Sequence, residues 1–159
     1  MQKITRTRWV FFLLTTAFLL IGQYGSGQTN KKDSLLKQLR KANRVEGQFI
    51  GIVAARSTIY KTAQLLWDIS SIDALTKLTS DKSPIIRCYA LLGLIEKKAD
   101  KKIVREIADK HKNDKTKITT MNGCIEWEHT VGIYMDLEAT YYCMDPKLRR
   151  CLDSLWINN

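Results

Sequence analysis

Apolar side chains recur at intervals of three and four residues along most of the chain, the spacing that places them on one face of an α-helix. Candidate helices begin at residues suited to cap them, among them Ser34, Ser57, Ser71, Asp100 and Thr130. Only two prolines and eight glycines occur in 159 residues, and alternating runs typical of strands are few. The pattern predicts a mainly helical protein.

The segment from Pro84 to about Lys97 is apolar on two opposite sides. At 100° per residue, one side carries Ile86, Tyr89, Ala90, Gly93 and Leu94, and the other carries Cys88, Leu91 and Ile95. A surface helix has a single apolar stripe. We therefore expect this helix to be buried on both sides, between neighbouring layers of the protein.

The periodicity changes around residues 117–128. Asn122-Gly123 stands between two short extended runs, which is a strong β-hairpin signal. An isolated hairpin is marginally stable in water, so this one is expected to pack against the helices. The segment Val45–Ala55 contains Gly47 and Gly51 and predicts a loop or a short extended link.

The first 27 residues have the order of a secretory signal peptide. Lys3, Arg6 and Arg8 precede an uncharged, mostly apolar run, and two glycines then offer small residues before a polar continuation. The alternative is an uncleaved membrane anchor, but the run is short for a span that needs about 20 residues. We expect residues 1–27 to be removed and residues 28–159 to form one periplasmic or secreted domain.

The chain is basic, with 26 Lys and Arg against 16 Asp and Glu. Removal of residues 1–27 would lower the net charge from +10 to +7. Export and the scattered placement of the basic residues argue against nucleic acid as a partner. Weak contact with an anionic membrane surface remains compatible with this charge, although a solvated outer face explains it more simply.

Two apolar helical patterns flank the turn Asp81-Lys82-Ser83-Pro84. Leu75 and Leu78 precede the turn, and Ile86, Arg87, Ala90 and Leu94 follow it. This stretch, within residues 72–98, resembles the HEAT-repeat family. A weaker copy begins at Asp100 but has Lys117 where proline is expected.

The wider arrangement is similar to small exported HEAT-like bacterial proteins of unassigned function. The resemblance implies an α-solenoid fragment in which Asp81 and Arg87 order the turn between helices. Arg87 also carries a charge at the edge of a buried stripe. We therefore expect it to pair with Asp81 or with a backbone carbonyl of that turn.

Four cysteines lie in the predicted mature chain. Cys88, inside the doubly apolar helix, is expected to be a reduced and buried thiol. Cys143 and Cys151 flank a turn and are candidates for a disulfide in an oxidising compartment. The spacing matches no zinc motif.

Cys124, Glu126, Glu128 and His129 form the one cluster with chemical variety. Cys124 with His129 is the pair that a thiol-dependent enzyme would need, and Glu126 with His129 could ligate a metal. In a strand, however, the odd separation of Cys124 and His129 puts them on opposite faces. We therefore assign no catalytic, cofactor-binding or metal site. Trp127, between two glutamates, is either a packing residue or an exposed recognition residue.

The sequence thus predicts an all-α, HEAT-like α-α superhelix fragment of about six helices, with a short hairpin or extended segment around residues 117–128. The predicted function is that of a non-enzymatic, exported interaction module that holds another protein of the cell envelope. The expected contact surface is a concave helical face or the hairpin edge. A thiol-dependent enzyme using Cys124 and His129 is the alternative.

Overall fold

The computed structural model describes residues 29–150. Residues 29–34 form the first turns of a helix, and the compact unit that follows runs from Leu35. The predicted signal peptide, residues 1–27, lies outside the described residues. Within residues 29–150, no helix combines the length and the apolar character needed to cross a membrane.

Seven helices and four strands make up the described part of the chain. Their order is α1 (29–41), β1 (Arg44–Ile50), β2 (Ala55–Arg56), α2 (Thr58–Asp68), α3 (Ile72–Leu78), α4 (Pro84–Glu96), α5 (Lys101–His111), β3 (Lys117–Gly123), β4 (Ile125–Thr130), α6 (Val131–Cys143) and α7 (from 146).

The four strands form one mixed sheet in the order β2-β1-β3-β4. β1 runs parallel to β3, whereas β2 and β4 pair with their neighbours in the antiparallel sense. The parallel pair at the centre is joined by the four helices α2 to α5, as parallel strands require a long crossover. The protein is therefore an α/β fold. The predictions of an all-α class, of an α-solenoid and of HEAT-repeat membership are wrong.

The wrong fold class arises at the segment Val45–Ala55, predicted as a loop or a short extended link, which instead forms most of β1 and the start of β2. Val45 and the adjacent Glu46 are both buried in β1, whereas Gln48 and Phe49 are exposed, so the strand lacks the alternation that identifies a strand from sequence. Its main partner, β3, follows about seventy residues later in the chain. Such a pairing is decided by tertiary structure.

Helix α4 lies at the centre of the core, and its burial on both sides is confirmed. It packs against α2, α3, α5, α6 and strand β1, and its buried residues are Ile85, Ile86, Cys88, Tyr89, Ala90, Leu91, Gly93 and Leu94. One of its covering elements is therefore the sheet, rather than another layer of helical repeats. A two-sided apolar helix is equally compatible with both architectures.

The hydroxyl of Tyr89 joins α4 to the sheet. The N–H of Glu46 donates to this hydroxyl at 2.7 Å, and the hydroxyl donates to the carbonyl of Glu46 at 3.1 Å. The β1–β3 register shifts just beyond Glu46. Tyr89 thus satisfies both backbone groups of one strand residue next to an irregularity, where a buried unpaired group would be costly.

The predicted hairpin is present as β3 and β4. Asn122 pairs with Ile125, so Gly123 and Cys124 are the two turn residues, one position later than the sequence indicates. Gly123 has a φ of +56°, a conformation that glycine adopts at no steric cost. Glycine at the first of two turn positions is typical of a type II′ hairpin.

Most helix starts follow the sequence prediction. Side chains of Ser57, Ser71, Asp100 and Thr130 each accept a hydrogen bond from the first turn of the following helix. Ser34 does not cap a helix, because α1 already includes residues 29–33. Local capping chemistry was therefore readable from sequence even though the fold class was not.

Arg87 orders the turn between α3 and α4, as expected. Its guanidinium donates to the carbonyl oxygens of Asp81 at 2.9 Å and Lys82 at 3.2 Å, and it pairs with the Asp114 carboxylate at 2.9 Å. Burial would raise the pKa of Asp114, but hydrogen bonds from Thr116 and the charge of Arg87 hold the pKa of that carboxyl below its usual value. Arg87 thus links the α3–α4 turn to the segment preceding β3.

We expect Arg87→Ala to lower the free energy of unfolding by about 1–3 kcal/mol, because it removes the cationic partner of the largely buried Asp114 carboxylate and the donor to two backbone carbonyls. Urea unfolding followed by circular dichroism measures the change. The matched control is Arg40→Ala, which removes a more exposed pair with Asp81 at 2.8 Å and should cost at most about 1 kcal/mol. Equal losses in both variants would contradict a structural role for Arg87.

Candidate functional site

A groove of about 440 Å³ opens between the β3–β4 hairpin and the helices α2, α4 and α6. It is lined by residues 45–48 of β1, residues 120–122 of β3, Trp127 and His129 of β4, Tyr60 of α2, Leu92, Ile95 and Glu96 of α4, and Tyr134, Leu137, Glu138 and Tyr141 of α6. Nine of these seventeen residues have aromatic or aliphatic side chains, and seven have polar ones. Concave, mostly apolar sites of this kind are where proteins commonly bind ligands.

Strand β4 directs Trp127 and His129 into the groove. Trp127 pairs with Thr120 and His129 pairs with Ile118, and both partners on β3 are buried. Directly opposed residues of an antiparallel pair lie on the same face of the sheet, so Trp127 and His129 face the helices. Trp127 is nevertheless 45% exposed. Its place at the rim fits a recognition residue better than a buried packing residue.

Helix α6 supplies the opposite wall. Tyr134, Leu137, Glu138 and Tyr141 recur at intervals of three and four residues and so share one face of the helix. Tyr134 is buried, whereas Leu137 and Tyr141 are 55% and 42% exposed. The ring of Tyr134 lies 6.5 Å from that of His129. The groove therefore has an exposed rim, formed by Leu137 and Tyr141, and a buried aromatic floor at Tyr134.

Two of the carboxylates that line the groove, Glu96 and Glu138, are each hydrogen-bonded to a tyrosine. The hydroxyl of Tyr60 donates to Glu96 at 3.5 Å, and that of Tyr134 donates to Glu138. Burial raises the pKa of Glu138, and the hydrogen bond from Tyr134 offsets part of that rise. Burial, followed by the charges of Glu96 and Glu138, raises the pKa of Tyr60. Both carboxylates therefore act on the same hydroxyl.

The groove differs in charge from the rest of the protein. None of the lining residues is Lys or Arg, although the chain carries 26 of them. A third carboxylate, Glu46, is compensated by Arg44 at 2.8 Å and by the Ser57 hydroxyl at 2.5 Å. Within residues 29–150, neither Glu96 nor Glu138 has a basic side chain in ion-pair contact. The groove is thus an acidic recess in a basic protein.

The sequence-predicted cluster around Cys124 is not brought together. Cys124 lies exposed in the hairpin turn, whereas His129 lies near the other end of β4, roughly 16 Å away at the usual rise of a strand. The imidazole of His129 faces the groove beside Tyr134. This geometry does not supply the nucleophile–base contact that a thiol enzyme requires.

The glutamates of β4 belong to the other face of the strand. Glu126 contacts Arg44 at 3.3 Å and Glu128 contacts Lys117 at 3.6 Å, so neither joins His129. Across the described part of the chain, no three His, Cys, Asp or Glu side chains converge to hold a metal ion.

Cys88 and Cys143 are free cysteines in the described part of the chain. Cys88 is a free thiol that is fully buried, as predicted, and burial raises its pKa. Cys143 is free, with its sulfur 3.6 Å from the carbonyl oxygen of Lys101. Cys151, its candidate disulfide partner, lies outside the described residues.

Several groove residues were not singled out from sequence, above all Tyr60, Glu96, Tyr134, Glu138 and Tyr141. A signal for one of them was present. Glu138 follows Tyr134 by four residues and therefore falls on an inward-facing stripe of α6, where a charged residue is unusual. No pattern of neighbouring residues predicts that α2, α4 and α6 come together with the hairpin, because α2 and α4 are far from the hairpin and from α6 in the sequence.

Comparison of the chain with protein-family models, with curated proteins and with solved structures finds no match.

Proposed function

We propose that this protein is a non-enzymatic binding module that holds a segment of another protein in the groove. The observation that carries the proposal is the groove itself, a recess whose rim exposes Trp127, Leu137 and Tyr141. Large side chains left exposed together are typical of interaction sites, and tryptophan and tyrosine contribute most to binding at such sites.

The edge of the sheet lies beside this rim. β4 is the last strand in the order β2-β1-β3-β4 of the described sheet, so one side of its backbone pairs with no strand. An extended segment of a partner can add to such an edge while its side chains enter a neighbouring pocket. Glu126 and Glu128 point away from the groove face and discourage pairing between two copies of the strand.

The predicted signal peptide makes the cell envelope or the exterior the expected place of action, and a protein of that compartment the expected partner. The contact surface of this proposal is the groove and the adjoining β4 edge, rather than the concave face of a superhelix. A thiol-dependent enzyme has less support, because Cys124 and His129 lie at opposite ends of β4.

Site-specific photocrosslinking tests the proposal. In one variant, a photoreactive amino acid replaces Leu137, which lines the groove. In the control variant it replaces Ile103, an exposed apolar residue of α5 outside the groove. In cells that make the protein, we expect one partner to be crosslinked reproducibly from position 137 and not from position 103. Absence of any adduct from position 137, or equal yields at both positions, would overturn the proposal.

A further inference from the structure

The charge of the groove points to the chemistry of its occupant. Its walls combine aromatic rings and aliphatic side chains with Glu96 and Glu138, and no basic side chain of the described residues makes an ion pair with either carboxylate. The rest of the chain is rich in Lys and Arg. A recess of opposite sign to its surroundings selects for a ligand of the complementary charge.

We propose that the groove receives a basic side chain, Lys or Arg, of the bound protein segment. This inference rests on the function proposed above and specifies the ligand. The cationic group would lie against Glu96 and Glu138, and its aliphatic stem would pack against Leu92, Ile95 and Leu137. Lys and Arg are suited to such a site, because their stems cover apolar surface while the charged end reaches an acceptor.

The aromatic rings of the groove favour the same ligand. The faces of tyrosine and tryptophan carry negative electrostatic potential and attract cations. The protein already uses this interaction at the rim, where the guanidinium carbon of Arg149 lies 4.8 Å from the centre of the Tyr141 ring. Tyr60, Trp127 and Tyr134 line the groove further along.

The burial of Glu138 gives an energetic reason to expect a cationic ligand. A partly buried carboxylate without a cationic partner is costly, and burial accordingly raises the pKa of Glu138. A bound ammonium or guanidinium group would replace the lost solvation with a charge-assisted hydrogen bond. A neutral or acidic side chain in the same place would leave that cost or increase it.

Selection from a library of short random peptides displayed on phage tests the inference with the purified full chain as target. Peptides that use the groove are identified by weaker binding to Trp127→Ala. We expect these peptides to share a Lys or Arg at one position. The basic residue should be absent from peptides selected against the double variant Glu96→Gln/Glu138→Gln.

One selected peptide then serves as the probe in fluorescence anisotropy. We expect Glu138→Gln to raise the dissociation constant of this peptide about tenfold, because losing a hydrogen bond to a charged group typically has an effect of this size. Exchange of the basic residue of the peptide for norleucine should have a similar effect. Glu106→Gln, which removes an exposed carboxylate on α5 outside the groove, should leave the dissociation constant unchanged. Circular dichroism confirms that the variants are folded.

The two proposals fail in different ways. Groove-dependent peptides that have no shared basic residue and bind Glu138→Gln as well as the wild type would overturn the cationic ligand and leave the binding function standing. If no selected peptide is weakened by Trp127→Ala, the groove does not bind protein segments and both proposals are overturned.

Discussion

Ile86→Asp should abolish the folded state of this protein. Ile86 is 1% exposed and lies in α4, the helix that contacts α2, α3, α5, α6 and β1. An aspartate there would bury a charge among apolar side chains and leave a cavity, at a cost of several kcal/mol. Domains of this kind are stable by only about 5–15 kcal/mol. We expect no cooperative thermal transition in far-ultraviolet circular dichroism.

Ile86→Val is the matched control for this experiment. It removes one methylene group from the same position and should cost about 0.5–1.5 kcal/mol while the transition stays cooperative. A folded Ile86→Asp protein that melts cooperatively near the wild-type temperature would show that α4 is not the centre of the core.

Gly132→Ala should also destabilise the protein strongly, although less than Ile86→Asp. Gly132 lies in the first turn of α6, and a Cβ atom there would stand 2.7 Å from the backbone carbonyl oxygens of both His111 and Lys112. Those atoms belong to the C-terminal end of α5, so relief requires α5 and α6 to separate. The N–H of Gly132, which donates to the carbonyl of Asp114 at 3.0 Å, would be displaced as well.

Whether Gly132→Ala raises or lowers the free energy of unfolding distinguishes the effect of helix propensity from that of a packing clash. Alanine forms helices better than glycine by about 1 kcal/mol, so propensity alone predicts stabilisation. The clash with two backbone oxygens instead predicts that the free energy of unfolding falls by about 3 kcal/mol, the upper end of the range for overpacked sites. Urea unfolding distinguishes the two outcomes. The neighbouring Ile133 is 55% exposed, and Ile133→Ala should change stability by about 0.5 kcal/mol or less. An unchanged or raised unfolding midpoint for Gly132→Ala would refute the close approach of α5 and α6.

These two sites also bear on the groove. α4 carries Leu92, Ile95 and Glu96 on its last turns, and α6 carries Tyr134, Leu137, Glu138 and Tyr141. Their positions depend on the packing of α4 in the core and of α6 against α5. Variants at the groove rim, such as Trp127→Ala, leave those contacts intact and are therefore suitable for testing binding without unfolding the protein.

The sequence by itself determined the features that depend on neighbouring residues. Caps at Ser57, Ser71, Asp100 and Thr130 are local hydrogen bonds between a side chain and the next turn of backbone. The hairpin follows from its turn residues, with Gly123 at positive φ. The two-sided burial of α4 follows from its composition. Each of these requires only a few consecutive residues.

The tertiary structure alone decided the fold class and the groove. Strand β1 has no alternating pattern and is held by residues far away in sequence, through pairing with β3 and the Tyr89 hydroxyl at Glu46. The αα-hairpin around Asp81 and Pro84 is compatible with many helical proteins, so its likeness to a repeat carried no information about a sheet. Glu96 and Glu138 lie on different helices, and only their packing brings them into one recess beside Trp127. Local patterns record which residues are buried, whereas long-range pairing determines what buries them.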